Sequence, residues 1–326
     1  MPDNNQIVRN AAITTESVTH GLLNPEQSSR FLRQVFESTS LGSAVRRQMR
    51  RARTGEIDKI GIARRILRKK IENIDANQDG SAPTLDPKTG QITGYRVSPH
   101  FSTVPYSTVA VRLPWEITEE TLRENIEGQG LEATITALMT TQLGIDMEDL
   151  CLNGDKETPI TDKDGYFLYI NDGWIKQISE GGHVFDARGH NEMSLDLYYG
   201  AVAAMPNKYN NGRLRWLMSP RRAQSWELFL LNRAINNGSS APESLFNSPA
   251  AIPTIRVPSI PDDVILLVDP QNLVIVNTYD VKIRKTDNDS RAIMEDKRFY
   301  VIHLDYDSII EELDAAVIIK NLREGA

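Results

Sequence analysis

The stretch 70–104 constrains the fold most. Only 10 of its 35 residues are apolar, so it cannot bury a core of its own. Strand-like alternation nevertheless flanks it. Upstream, Ile60, Ile62, Arg64 and Ile66 alternate with other residues. Downstream, Val109, Val111 and Leu113 fall on one face, and Tyr106, Thr108 and Ala110 on the other. Two long strands joined by a polar tip is the simplest shape. An isolated two-stranded ribbon is marginal in water, so it must lie on something. A neighbouring copy is the natural support; a long surface loop is the alternative.

Charge is unevenly placed. The 326-residue chain carries a net charge of −7, which argues against a general nucleic-acid coat. Yet 45–70 holds 11 basic residues against Glu56 and Asp58, and 116–150 holds nine acids against Arg123. The two blocks could meet, within one chain or between copies. They could equally be two unrelated solvated faces, or the basic block could be an arm that binds phosphate.

Around the excursion the pattern is mixed. Asn24-Pro25-Glu26 reads as a helix start, with Phe31, Leu32, Val35 and Phe36 at helical spacing and an end near Gly42. A long acidic helix is predicted from Thr118 or Thr121 to about Leu150, with Thr121 and Glu124 as a capping box. The stretch 153–190 reads as turn-rich. Ser194 and Ser219-Pro220 each start a helix. Strands are predicted at 213–218, 254–257, 264–268, 273–277, 281–285, 298–304 and 315–320.

Several chemistries find no support. A single cysteine, Cys151, can make neither an internal disulfide nor a structural zinc site, and reads as a small buried hydrophobe. Gly128-x-Gly130 lacks the third glycine of a dinucleotide fingerprint. His183, Asp186 and His190 match no common metal spacing, and Asp162, Asp164 and Asp172 fit a turn better than a calcium loop. No run approaches the length of a membrane span, and the first thirty residues lack an apolar signal core. No enzyme, cofactor or metal site is expected, and no membrane partner.

A set of motifs in order carries a resemblance. Leu113-Pro114-Trp115-Glu116-Ile117-Thr118-Glu119-Glu120-Thr121-Leu122 enters the acidic helix, and Cys151-Leu152-Asn153-Gly154-Asp155 ends it at a Gly-Asp turn. Leu214-Arg215-Trp216-Leu217-Met218-Ser219-Pro220 is a Trp-bearing strand running into a helix. Ile252-Pro253-Thr254-Ile255, Ile260-Pro261 and Val281-Lys282-Ile283-Arg284 form a late strand series, followed by Asp305-Tyr306-Asp307 and Ala315-Ala316-Val317. From about Asn24 onward the order resembles the major capsid protein of tailed phages, with the Hong Kong 97-type fold. Two departures stand out. Ala250-Ala251-Ile252 occupies a place where the family often has glycine, and only a short arm precedes the first helix.

The resemblance implies an α+β Hong Kong 97-like capsid fold. It would have an arm and short helix over 1–44 and an extended E-loop hairpin over 45–112. A peripheral domain with a long spine helix would cover 113–153 and 279–308, and an axial domain 154–278 and 309–326. In such shells the E-loop lies across a neighbour. The implied contacts on the E-loop are Arg46, Arg47, Arg50, Arg51, Arg53, Lys59, Ile60, Ile62, Arg64, Arg65, Ile66 and Arg68. On the spine helix they are Glu116, Glu119, Glu120, Glu124 and Glu127. The implied function is a structural shell of hexamers and pentamers around double-stranded DNA, assembled in the host cytoplasm and carried in the virion. Its further partners would be a portal, a decoration protein, and a separate scaffolding protein or none. An encapsulin-type compartment and a nucleic-acid-binding protein using the basic segment are the alternatives.

Overall fold

A computed structural model describes residues 21–22, 32–33, 35, 39–61, 84–85, 92–93, 100–124, 131–189, 193–236, 248–279 and 281–322. In chain order the strands are β1 (Gly21–Leu22), β2 (Arg46–Arg50), β3 (Thr54–Gly61), β4 (Thr84–Leu85), β5 (Ile92–Thr93), β6 (His100–Ser107) and β7 (Val109–Thr118). Helices α1 (Glu119–Glu124), α2 (Leu131–Asn153), α3 (Gly165–Leu168) and α4 (Trp174–Gly181) follow, then β8 (His183–Asp186), α5 (Leu195–Ala204), β9 (Arg215–Met218) and α6 (Pro220–Asn236). The chain closes with β10 (Thr254–Arg256), β11 (Ile265–Val268), β12 (Leu273–Thr278), β13 (Lys282–Thr286), α7 (Ser290–Glu295), β14 (Lys297–Ile310) and β15 (Ala316–Lys320).

The chain divides into two compact units, Thr54–Ser107 and the remainder. The separate unit is therefore narrower than the predicted 45–112 excursion. Arg46–Arg50 and Val109–Thr118 are strands of the larger unit's sheet; the alternating residues of Val109–Thr118 have a core to pack on there, and Arg46–Arg50 joins through its backbone pairing with Leu273–Thr278. Val109, Val111, Leu113, Trp115 and Ile117 form the covered face of β7.

In the larger unit, a six-stranded sheet runs β1-β13-β14-β12-β2, with β7 also on β14. β14 is its axis and pairs antiparallel with β7, β13 and β12. β2 joins the edge parallel to β12. A five-stranded sheet runs β10-β9-β11-β15-β8.

The five-stranded sheet separates two cores. Ile265-Leu266-Leu267-Val268 and Ala316-Val317-Ile318-Ile319 are unbroken apolar runs, which a strand needs only when both its faces are buried. Their odd and even residues part accordingly. Leu217, Leu266, Val268, Ala316 and Ile318 join a core with Leu143, Met147, Leu150 and Cys151 of α2. Trp216, Ile265, Leu267, Val317 and Ile319 join another with Leu197 and Tyr198 of α5 and Trp226 of α6. The thiol of Cys151 is fully buried, and burial pushes its pKa up, so it is an inert core residue.

Two sequence expectations change. Glu116 and Ile117 complete β7 and so precede the acidic helix, which starts at Glu119 after the first of the two predicted caps; residues 125–130 lie outside the described residues. Thr118 is the cap: its Oγ1 accepts from the Thr121 amide at 3.2 Å. The turn-rich stretch 153–190 contains α4 and β8, and Trp174 and Ile178 of α4 are buried in the first core. The predicted helix after Asn24 lies largely outside the described residues. Its Leu32 and Val35 are helical and buried.

In the smaller unit, β3 and β6 form an antiparallel ladder from Thr54↔Ser107 to Gly61↔His100. One face is covered, with Ile57 and Tyr106 buried. The other carries exposed Glu56, Asp58, Thr103 and Pro105, and Phe101 at 64% exposure. Gly55 lies opposite Tyr106, and a Cβ there would sit 2.7 Å from the Tyr106 hydroxyl oxygen, so a larger residue would have to displace that ring.

Candidate functional site

The predicted contact residues are the first place to look for the working surface. Of the basic set, Arg46, Arg47 and Arg50 lie on β2 in the large sheet, not on the separate hairpin. Arg46 pairs with Glu311 at 2.7 Å. Arg47 donates to the Leu32 carbonyl at 3.2 Å, and Arg50 to Gln48 Oε1 at 2.9 Å. Arg53 Nε donates to Asp305 Oδ2 at 2.8 Å. Arg51 is exposed just after β2. Lys59 and the backbone of Ile60 belong to β3. Ile62, Arg64, Arg65, Ile66 and Arg68 lie outside the described residues.

Of the acidic set, Glu116 is a strand residue on β7 whose carboxylate accepts from Lys297 at 2.7 Å. Glu119 is gripped by the Arg298 guanidinium through two hydrogen bonds, one to each oxygen. Glu132, in the first turn of α2, bridges Lys285 at 2.6 Å and Arg298 at 3.2 Å. Glu120 is exposed at the start of α1. Glu124 closes α1, and Glu127 lies outside the described residues.

The two charge blocks therefore do not meet within the described chain. Part of the acidic block is balanced by Lys285, Lys297 and Arg298 of β13 and β14. Arg46 and Arg53 of the basic block find Glu311 and Asp305. Within the chain Arg46, Arg53, Glu116 and Glu119 thus already have ion-pair partners, with Arg53 and Glu116 still exposed.

The Glu132 cluster fixes the acidic helix to the sheet. Burial raises the cost of ionising Glu132, but hydrogen bonding and charge from Lys285, with the Arg298 charge, outweigh it. The carboxyl is held below its ordinary value. A depressed carboxyl stabilises the fold above its unfolded pKa of about 4.3 and loses that contribution as pH falls through the folded value. Glu132→Gln is expected to cost about 1–3 kcal/mol at neutral pH, because two cations lose a charged acceptor. It should also flatten the loss of stability in acid. Urea melts at neutral and acid pH measure both effects; equal losses at both pH values would contradict the assignment.

A second surface is absent from the sequence expectations. A hollow of about 820 Å³ lies against β7, β14 and β13, lined by Arg112, Pro114, Arg284, Phe299, Tyr300 and His303 among others, with Lys282 beside it. Register sets the strands' residues in rows. Arg112, His303 and Lys282 stand side by side, then Pro114, Val301 and Arg284, then Glu116, Phe299 and Thr286. Their sequence neighbours Ile302, Leu304, Val281 and Ile283 point the other way into the core. Arg291 of α7 lies 5.3 Å over the Phe299 ring at one end. β7 contributes Arg112 and β13 contributes Lys282 and Arg284 at alternate positions, with His303 of β14 between them, a signal no single motif displays. Only the pairing register brings them together.

No family model matches the chain. Over 338 aligned residues it is 30% identical to "Putative prophage capsid protein YqbE" of Bacillus subtilis (strain 168), spanning 98% of this chain and 99% of that one. The chain belongs to this phage capsid protein family. Among solved structures, the capsid protein resembles a chain of the satellite phage P4 procapsid including size determination (Sid) protein. The TM-score is 0.62 at 16% identity, with 100% of this chain and 99% of that one covered. It also resembles the SrpI encapsulin of Synechococcus elongatus PCC 7942, with a TM-score of 0.51 at 12% identity over 99% and 96% of the two chains. These likenesses show the fold, and the α+β Hong Kong 97-like capsid architecture expected from the sequence is the one observed. Among the described residues, no helix is long and apolar enough to cross a membrane.

Proposed function

We propose that this capsid protein builds the icosahedral head shell of a tailed bacteriophage, as pentamers and hexamers of itself around double-stranded DNA. The observation that carries the reading is the end-to-end identity with a prophage capsid relative. In this reading the Thr54–Ser107 unit is the E-loop, which lies across a neighbouring copy. The six-stranded sheet with α2 is the peripheral domain, and the five-stranded sheet with α5 and α6 is the axial domain. Exposed Arg51, Arg53, Glu116 and Glu120 are candidates for contacts between copies. Such contacts can be individually weak, since each subunit makes many at once.

The protein would assemble in the host cytoplasm and leave in the virion, with a portal, a scaffold and a decoration protein as partners. Strong DNA binding is not needed, and a net charge of −7 suits DNA that must later leave. The likeness to an encapsulin favours one second reading, a compartment around a protein cargo.

Particles made by expressing the whole gene neighbourhood separate the two. After external nuclease treatment, protected double-stranded DNA of uniform length is the expected content. Particles that hold a stoichiometric enzyme and no DNA would assign the compartment instead.

A further inference from the structure

We propose that Asn211 is a self-modification site. The Gly212 amide nitrogen attacks the Asn211 side chain, and water turns the product into aspartate and isoaspartate. The site lies in the turn between α5 and β9 and needs no second copy, so it stands independently of the shell reading.

The pair Asn-Gly occurs three times, at 153–154, 211–212 and 237–238. Glycine has no Cβ to shield its nitrogen, which is what leaves the preceding asparagine open to attack. Asn237 and Gly238 lie outside the described residues. The other two pairs share their chemistry and have opposite surroundings.

At 211–212 the turn is set up for ring closure. Asn210, Asn211 and Gly212 are exposed. Asn211 Oδ1 accepts from the Arg213 amide at 3.0 Å, and the Asn211 backbone carbonyl accepts from the Leu214 amide at 3.3 Å. These are the two carbonyls of the five-membered ring that forms. The first donor stabilises the negative charge that builds on Oδ1 as Cγ is attacked. The second draws electrons from the Gly212 peptide and eases the loss of its proton. Arg215 Nη1 donates to the Gly212 carbonyl at 3.2 Å, which fixes the turn and brings a positive charge near the developing anion. Among the described residues, neither the Asn211 side-chain nitrogen nor the Gly212 N–H has a hydrogen-bond partner. Nothing lies within 4 Å of the Gly212 Cβ position, so the flank of the nitrogen is open to water.

At 153–154 both reacting groups are held. Asn153 is the last residue of α2, and its side-chain nitrogen donates to Asp149 Oδ1 and to the Ser259 carbonyl, each at 2.6 Å. Gly154 is buried, and its N–H donates to the Leu150 carbonyl at 3.0 Å. The nucleophile and the leaving group are therefore both engaged, and Asp149 adds a negative charge that opposes a developing anion.

The step balances without an oxidant. The bond from Gly212 N to Asn211 Cγ forms, the Cγ–Nδ2 bond breaks, and ammonia leaves with the amide proton. Water then opens the ring. Addition at Cγ gives aspartate. Addition at the backbone carbonyl carbon gives isoaspartate, with the main chain running through the side chain. Either product places a new carboxylate beside Arg213. Aspartate keeps an oxygen for the Arg213 amide, whereas isoaspartate lengthens the turn by one carbon just before β9.

The test holds the purified full-length chain at mildly alkaline pH and follows each Asn-Gly peptide by mass spectrometry, with electron-transfer fragmentation to tell isoaspartate from aspartate. In the folded chain Asn211 is expected to convert at least about tenfold faster than Asn153, and in denaturant the two should convert at similar rates. Gly212→Ala should slow conversion of Asn211 at least about tenfold, because the added methyl shields the nitrogen, and should leave the thermal melt unchanged. Equal rates at Asn211 and Asn153 in the folded chain would overturn the proposal. So would a contrast that persists undiminished in denaturant, because the flanking sequence and not the turn would then set it. A wild-type rate in Gly212→Ala would mean that the Gly212 nitrogen is not the nucleophile, and the proposal would be wrong.

Discussion

Trp216→Ala is expected to lower the unfolding free energy of the subunit by about 3–5 kcal/mol, the cost of deleting a large aromatic side chain from a packed core. Trp216 sits on β9 with no exposed surface. Its ring lies edge-on to Tyr198, with centroids 4.9 Å apart, and Tyr198 makes a similar contact with Trp226 at 4.9 Å. The Trp216 indole N–H donates to the Pro249 carbonyl at 2.9 Å, tying the strand to the segment before β10. The substitution removes the Trp216–Tyr198 contact and the hydrogen bond at once, and leaves Tyr198 with Trp226 alone. Trp216→Phe keeps most of the volume, losing the hydrogen bond and part of the ring, so it should cost clearly less. Denaturant melts of the unassembled subunit measure both; a Trp216→Ala cost under about 1 kcal/mol would mean that the second core is not packed around this ring.

The second large effect is expected where α2 ends. The Gly154 amide donates to Leu150 O at 3.0 Å, and the Gly173 amide to Gly154 O at 2.7 Å, so the end of α2 and the start of α4 touch backbone to backbone. A Cβ on Gly173 would lie 2.5 Å from the Leu152 carbonyl oxygen, and one on Gly154 would lie 2.2 Å from that of Asn171. Backbone cannot step aside as a side-chain tip can. Gly154→Ala and Gly173→Ala should each cost about 1–3 kcal/mol or more, as overpacking of a tight contact does. Gly212→Ala is the control: nothing lies within 4 Å of its Cβ position, so its effect should stay within about 0.5 kcal/mol.

The same contact shows how much of the fold was legible in the sequence. Asn153-Gly154 was readable as a helix end, but not that Gly173 would pack on it. Unbroken apolar runs announced β11 and β15, and Ser194, Pro206 and Pro220 bounded α5 and α6, because caps and breakers act locally. α4 was missed since eight residues between glycines look like a turn; Trp174, Ile175 and Ile178 at helical spacing were the available signal. The extent of the excursion was misjudged for a different reason. The alternation in β7 says strand but not which sheet, 46–50 carries no apolar alternation at all, and both placements are made by β12 and β14, far along the chain.

The candidate surfaces were less legible still. The summed charges of 45–70 and 116–150 suggested that the blocks would attract each other. Position decided otherwise: Glu119 and Glu132 face β13 and β14, whose Lys285 and Arg298 are nearer than any residue of the basic block described here. The row of Arg112, His303 and Lys282 exists only through register across three strands. The resemblance to tailed-phage capsid proteins rested on the order of many weak motifs, and that order survives where single-residue assignments moved.

The most direct test of the account is electron microscopy of the purified chain across a salt series, alone and after co-expression with its gene neighbours. Closed shells, or rings of five and six subunits, are the predicted result. A folded chain that stays monomeric in every condition, including co-expression, would contradict it.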